Sequence, residues 1–295
     1  MSILVTGQFE AGERDEWLAL LRDELPAETF VGEPDPGVDV AIVANPPPGA
    51  LQGLPALALI QSLWAGVDRL LADTTLPPQV PIARMVDPAM NEAMAETALW
   101  AVLALQRDFF DYARQQAAGQ WRPHPQRRAD EVHVLVLGRG QMGGAVARRL
   151  AANGFPVTAW GSRDGPLAPR LAQAAVVVNL LPLTAETRGL IGAGFLAGMR
   201  AGASLVNLAR GAHVVDDALL AALDAGHLRH AVLDVFHQEP LPRSHRFWSH
   251  PRVTVLPHVA AATDARSAAA IAAANVRRLR AGEPLQHLVD RGRGY

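Results

Sequence analysis

Cysteine is absent from the 295-residue chain, which removes disulfides, thiolate metal sites and cysteine nucleophiles and suits a reducing cytoplasm. An excess of charge of one sign is also missing. The formal net charge is −2, so bulk electrostatics point neither to nucleic acid nor to an anionic membrane surface. No apolar run approaches the roughly 20 residues of a membrane helix. The segment Met1-Ser2-Ile3-Leu4-Val5-Thr6-Gly7 has no basic stretch ahead of its apolar residues and reads as a first strand, not a signal peptide. The histidines show neither H-E-x-x-H nor another ligand spacing, so no metal is expected. The expectation is a soluble cytoplasmic protein with no nucleic-acid or membrane partner, long enough for two domains with separate cores.

What is present is an alternation of short β-type runs with helical stretches. Ile3–Thr6, Val40–Ala44, Leu57–Leu63 and Val80–Met85 read as strands, and Trp17, Leu21 and Leu25 recur at helical spacing between the first two. Such alternation implies a parallel sheet covered on both faces. From about Asn91 to Gln116 one long helix is expected, with Met90, Met94, Ala98, Ala101 and Leu105 on one face. A second series follows through Val132–Leu137, Pro156–Trp160, Val176–Leu181, Ala203–Leu208, His230–Val235 and Val253–Leu256, and a last helix carries Ala268, Ala272, Val276 and Leu279. The fold class is therefore α/β with two doubly wound parallel sheets. Residues 1–90 with 266–295 read as one domain, and 91–265 as a second domain inserted in it.

The clearest local signal is Gly138-Arg139-Gly140-Gln141-Met142-Gly143, a G-x-G-x-x-G run directly after a strand and before a helix-compatible stretch. Its glycines let the backbone turn tightly and approach a pyrophosphate, whose charge then sits at the helix N-terminus. A plain glycine turn is the alternative, and the strand context argues against it. The next strand ends at Trp160, where the residue reading the ribose is expected. There the chain reads Gly161-Ser162-Arg163. An acidic residue would hold the 2′-hydroxyl of NAD, whereas Ser162 and Arg163 suit the 2′-phosphate of NADP, with NAD still possible.

The later strand ends carry chemistry. Arg210 follows one strand, Asp234 and Glu239 the next, and His258 the last. In an open α/β sheet these ends share a crevice with the cofactor. Reduction of a 2-keto acid needs a bidentate clamp, an orienting anion and a proton donor. Each residue alone reads as an ordinary surface or turn residue, but the three in this order do not.

With these residues in place the chain resembles the D-isomer-specific 2-hydroxyacid dehydrogenase family, and within it the glyoxylate/hydroxypyruvate reductase subgroup. The matching segments include Gly138–Gly143, Asn179–Thr184, Asn207–Gly211, Leu233–Pro240, Pro257–Ala261 and Val289–Tyr295. The resemblance implies a Rossmann cofactor domain inserted in a flavodoxin-like substrate domain and reduction of a small 2-keto acid to a D-2-hydroxy acid with NAD(P)H. It implies that His258 is the general acid, Glu239 its partner, and Arg210 the grip on carboxylate and carbonyl. Ala65-Gly66-Val67 would hold the carboxylate by backbone amides, where residue type alone reads as a βα turn. Leu181, Pro182 and Ala209 would line the cofactor, and Asp234 would meet its carboxamide. A homodimer is implied, with Gln115–Arg128 as an arm bearing Trp121.

One departure from the family is expected. Ser162–Ala175 is too short for the further strand and helix that relatives place there, since a strand of about 5 residues and a helix of about 10 need turns as well. The cofactor sheet should lack that edge strand, with one helical turn near Arg170–Ala174 and Gly165, Pro166 and Pro169 interrupting the rest. Two rivals stay open: a dehydrogenase of the same family acting on another 2-keto acid, and a nucleotide-sensing protein without turnover on this fold.

Overall fold

The computed structural model describes all residues, Met1–Tyr295. Two compact units form, one from Met1–Met90 with Thr263–Tyr295 and the other from Asn91–Ala262. No helix is long and apolar enough to cross a membrane.

The first unit is built on strands β1 (Ser2–Gly7), β2 (Phe30–Val31), β3 (Val38–Ala44), β4 (Leu59–Ser62) and β5 (Ile82–Ala83), in the order β2-β1-β3-β4-β5. Every pairing is parallel. β3 is buried along its whole length, as a strand covered on both faces must be. Helix α1 (Glu13–Glu24) turns Trp17 and Leu21 inward, and α2 (Asp68–Leu71) follows the β4 loop. Helix α3 (Pro88–Gln106) carries the chain from this unit into the next.

In the second unit α4 (Phe109–Ala117) precedes β6 (Val134–Leu137), α5 (Gln141–Ala152), β7 (Val157–Trp160) and α6 (Ala168–Leu171). The chain continues through β8 (Val176–Asn179), α7 (Ala193–Gly198), β9 (Ala203–Asn207), α8 (Asp216–Asp224), β10 (Leu228–Leu233) and β11 (Val253–Val255). The sheet order is β11-β10-β9-β8-β6-β7, all parallel. Strand order reverses between β6 and β8, which is where ligands of such sheets bind. The period-2 alternation of strands sorts the core into two layers. Val134, Val136, Val178 and Val206 pack with Met94, Ala98 and Leu105 on one side, and Leu135, Leu137, Val177 and Leu205 with Leu196, Leu219 and Leu223 on the other. Fully burying each such side chain is worth about 1.5–3 kcal/mol. Finally α9 (Ala265–Ala281) returns to the first unit. There Asn275 donates to Gln61 at 2.7 Å, and Arg280 holds Glu28 and Asp39.

Two sequence expectations need correction. The long helix expected over Asn91–Gln116 is two helices, broken at Asp108, which adopts a left-handed conformation with φ 59°. The Asp108 carboxylate is claimed by Arg229, which also bonds Asp111 at 2.7 Å. An ion pair to β10 thus outweighs helix continuity. Beside it His230 stacks on Phe110 at 4.4 Å and faces the Thr254 hydroxyl at 2.9 Å, and burial pushes its pKa down to about 4. In the second place the edge strand is absent as expected, with β7 at the edge of its sheet and no strand between Ser162 and Ala175, and only the reading of Pro169 changes. The single helical turn there is α6, starting at Ala168 with Pro169 in its first turn. Proline is no interruption at that place, because the N–H it lacks would be unpaired anyway.

Candidate active site

The glycine run begins where β6 ends. Gly138 has φ 109°, and a Cβ there would lie 2.7 Å from the Leu180 carbonyl oxygen. At Gly143 a Cβ would lie 2.0 Å from the Gly138 carbonyl oxygen, so these two glycines let helix and strand approach. Gly140 differs, since nothing lies within 4 Å of a Cβ built on it. It is the N-cap of α5 and makes no side-chain cap, so the first N–H groups of the helix have no side-chain acceptor from it. The space at Gly140, the partial positive charge of the helix end and the absence of a Cβ fit a dinucleotide pyrophosphate. Two substitutions separate the roles. Gly143→Ala is expected to destabilise the ligand-free unit by about 1–3 kcal/mol, the scale of forced overpacking. Gly140→Ala is expected to leave the ligand-free melting temperature unchanged and weaken dinucleotide binding by roughly 5- to 150-fold. Calorimetric melting and titration check both, and a destabilised Gly140→Ala protein would refute the division.

Gln141 and Met142 open α5, with Gln141 exposed. Leu181 and Pro182 leave β8 in a loop held from below: Leu181 N–H donates to Asn179 Oδ1 at 3.2 Å, and Pro182 O accepts from the Thr187 hydroxyl at 2.7 Å. Ser162 and Arg163 lie exposed after β7. The turn also holds an acid, Asp164, one residue beyond Gly161-Ser162-Arg163 and outside the position where a ribose-reading residue is expected. Asp164 folds back so that its carboxylate accepts from Gly161 N–H at 2.7 Å.

At the end of β9 a buried amide pair sets the next loop. Asn179 Nδ2 donates to Asn207 Oδ1 at 2.9 Å, which also accepts from Ala209 N–H at 3.3 Å, and Asn207 Nδ2 donates to the Arg210 carbonyl at 3.0 Å. The Arg210 side chain is half-buried and donates from Nη1 to Ala209 O at 2.9 Å. His213, fully buried, sets its ring nitrogens 3.1 Å from Arg210 O and 3.2 Å from Pro182 O. It thereby links the strand end bearing Arg210 to the loop bearing Pro182. Gly211 packs so closely that a Cβ would lie 2.0 Å from the Phe236 carbonyl carbon, so Arg210 and the segment after β10 sit side by side.

That segment brings Glu239 to His258. Glu239 Oε1 accepts from Phe236 N–H at 2.9 Å, and Oε2 lies 2.8 Å from His258 Nδ1. The carboxylate holds the proton on Nδ1 and leaves Nε2 as the nitrogen turned to a ligand. His258 adopts φ 56°, a conformation costing of order 1–3 kcal/mol. Asp234 holds it there. Its carbonyl accepts from His258 N–H at 2.9 Å, and its carboxylate oxygens accept from Val259 N–H at 2.8 Å and Ala260 N–H at 3.0 Å. Burial pushes the Asp234 carboxyl up, against these two bonds that favour the charged form. In the first unit the loop after β4 carries Ala65 and Gly66, partly exposed, and Val67, buried. The structure also gathers Asp108, Asp111 and His124, a grouping with no signature in sequence spacing. Arg229 and Arg114 already neutralise its carboxylates.

A doubly wound sheet with an open glycine cradle and a carboxylate–histidine pair at its strand ends defines a dinucleotide-dependent oxidoreductase. The particular family follows from comparison. The model for the NAD binding domain of D-isomer specific 2-hydroxyacid dehydrogenases matches residues 99–260. A glyoxylate/hydroxypyruvate reductase A of Klebsiella pneumoniae strain 342 is 40% identical over 301 aligned residues, covering 95% of this chain and 96% of that protein. A D-isomer specific 2-hydroxyacid dehydrogenase from Xanthobacter autotrophicus Py2, solved in complex with NADPH and MES, superposes with TM-score 0.93 at 38% identity, covering 100% of this chain and 99% of that one. An NADPH-dependent glyoxylate/hydroxypyruvate reductase from Sinorhizobium meliloti, solved with NADP and sulfate, gives TM-score 0.92 at 33% identity with both chains fully covered. The chain belongs to the D-isomer specific 2-hydroxyacid dehydrogenase family.

Proposed function

We propose that the chain reduces glyoxylate, hydroxypyruvate and similar small 2-keto acids to D-2-hydroxy acids, using NADPH in preference to NADH. When bound, the reduced nicotinamide supplies the hydride that reaches C2 of the substrate. The protein supplies orientation and charge. Arg210 offers a planar fork that grips the carboxylate and the carbonyl oxygen together. The backbone amides of Ala65, Gly66 and Val67 hold the carboxylate. His258 delivers its Nε2 proton to the carbonyl oxygen as negative charge develops there, and Glu239 balances the imidazolium and fixes its orientation. Gly138 to Gly143, Leu181, Pro182 and Ala209 would line the dinucleotide, Ser162 and Arg163 would meet its 2′-phosphate, and Asp234, which holds the turn that presents His258, would meet the carboxamide.

The observation that carries this reading is the 2.8 Å contact between His258 Nδ1 and Glu239 Oε2, which supports His258 as an oriented proton donor. Relatives named as glyoxylate/hydroxypyruvate reductases support the substrate class, and relatives solved with NADPH or NADP support the cofactor. The test follows loss of reduced-nicotinamide absorbance with glyoxylate and with hydroxypyruvate, NADPH and NADH compared. Turnover with NADPH at the higher kcat/KM is expected. No oxidation with any 2-keto acid would leave a sensing protein, and equal efficiency with both cofactors would remove the NADPH preference. A homodimer also belongs to this reading: Trp121 is 98% exposed and Phe109 56%, surface that a second copy would cover. A monomer mass by light scattering would overturn that part.

A further inference from the structure

Arg139, Arg170 and Asp164 meet where the ribose-reading loop leaves β7, and none of them is assigned to the 2′-phosphate in the reading above. β6 and β7 pair in register through Leu137 and Trp160, and Gly138 N–H donates to Trp160 O at 2.8 Å. Arg139, in the second position of the glycine run, therefore leaves its strand at the level of Gly161 and Ser162. Its stem runs across Gly161, with Cδ 3.6 Å and Cγ 3.7 Å from the place a Cβ would occupy. The guanidinium then reaches Asp164, Nη1 to Oδ1 at 2.5 Å, while Oδ2 stays on Gly161 N–H. Arg170 is committed elsewhere: Nη2 donates to Asp164 O at 2.8 Å and Nη1 to Pro166 O, so it fixes the loop.

We propose that Arg139 is a specificity-determining residue for the 2′-phosphorylated dinucleotide, held by Asp164 in the ligand-free protein and transferred to the 2′-phosphate when the cofactor binds. The proposal rests on the NADPH reading given above. The Arg139 side chain is 60% exposed, and an ion pair in such surroundings is weak. A phosphate with roughly −1.5 to −2 charge and three acceptor oxygens is the stronger partner for a guanidinium. The phosphate is directed to the end of the second strand, which is the end of β7 that Arg139 crosses. Asp164 then acts in the opposite sense. It competes for Arg139 and repels the phosphate, whereas it accepts a hydrogen bond from an unphosphorylated ribose. The two partners of one ion pair thus have opposite effects on NADPH selectivity, which a purely structural pair does not produce.

Calorimetric titration of the full chain with adenosine 2′,5′-bisphosphate and with 5′-AMP tests this without turnover. Arg139→Gln, which keeps the stem and removes the charge, is expected to weaken bisphosphate binding by roughly 10-fold, the loss of a charge-assisted contact, and to leave 5′-AMP within about twofold. Asp164→Asn is expected to tighten the bisphosphate and not 5′-AMP, and in the double variant the gain should vanish, because Arg139 is the group it releases. If both single variants weaken the bisphosphate, or if Arg139→Gln lowers affinity for both ligands alike, the pair only braces the loop and the proposal fails. Melting curves of both variants identify a folding defect, and Arg139→Lys, with the cation retained, should restore part of the bisphosphate affinity. Equal binding of the two ligands by the unmodified protein would overturn the NADPH reading itself, an outcome separate from failure of Arg139.

Discussion

Replacing His258 by glutamine lowers the reductive rate by about 100-fold or more, the scale on which enzymes lose a positioned general acid, while NADPH binding stays near its original strength. The expectation follows from how little the fold asks of the imidazole. The His258 side chain is 50% exposed and meets Glu239 at 2.8 Å. The turn beneath it is held by backbone N–H groups on Asp234, none of which the substitution touches. Glutamine occupies similar volume and can still donate to Glu239, but its amide cannot release a proton near neutral pH. The loss therefore falls on kcat, with the dinucleotide Kd and the melting temperature as controls. Turnover near the original rate would remove His258 from the chemistry, and a collapse in NADPH affinity would mean that the residue shapes the pocket.

The candidate site positions can be read in the sequence because each follows a β-type run: Val206-Asn207 before Arg210, Val232-Leu233 before Asp234 and Glu239, and Val255-Leu256 before His258. Runs buried on both faces show as near-continuous Val and Leu, so the sheet and its outlet could be located together. What stayed hidden depends on groups far apart in sequence or on short returns of the backbone. The break between α3 and α4 exists because Arg229, 121 residues away, takes the Asp108 carboxylate, and no local propensity at Asp108 announces that. β2 is only 2 residues long, below what periodicity can register. His213 and Asp164 act through contacts with Pro182 and Gly161, and those contacts appear only once the strands are laid side by side. Absent structure was easier to anticipate. The missing strand between Ser162 and Ala175 follows from counting residues, and the helical turn expected near Arg170–Ala174 starts two residues earlier, at Ala168, because Pro169 is tolerated in the first turn of α6.

Arg210→Lys is expected to reduce kcat/KM for 2-keto acids by roughly 10- to 150-fold, although charge is conserved. A guanidinium presents parallel N–H groups that hold a carboxylate and an adjacent carbonyl oxygen at once, whereas an ammonium is a point charge that serves one of them at a time. Losing one hydrogen bond to a charged group costs about 1.5–3 kcal/mol, and that range gives the stated factor. The local structure makes the clamp hard to replace by adjustment. The backbone at Arg210 is fixed through its carbonyl by Asn207 and by His213, and Gly211 is pressed against Phe236, so the chain cannot shift to bring a shorter or differently shaped head group into place. The Arg210 Nη1 bond to the Ala209 carbonyl further fixes the plane of the fork, and a lysine has no plane to fix. If the lysine grips the ground-state carboxylate less well, KM rises; if it fails to follow the carbonyl oxygen as charge develops, kcat falls, and both changes are expected because the fork serves both groups. Dinucleotide affinity should stay within about twofold, since the substitution leaves the glycine cradle untouched. Unchanged KM and kcat in Arg210→Lys would show that a single positive charge suffices at this strand end and that carboxylate recognition lies elsewhere, with the amides of Ala65, Gly66 and Val67 as the remaining candidates.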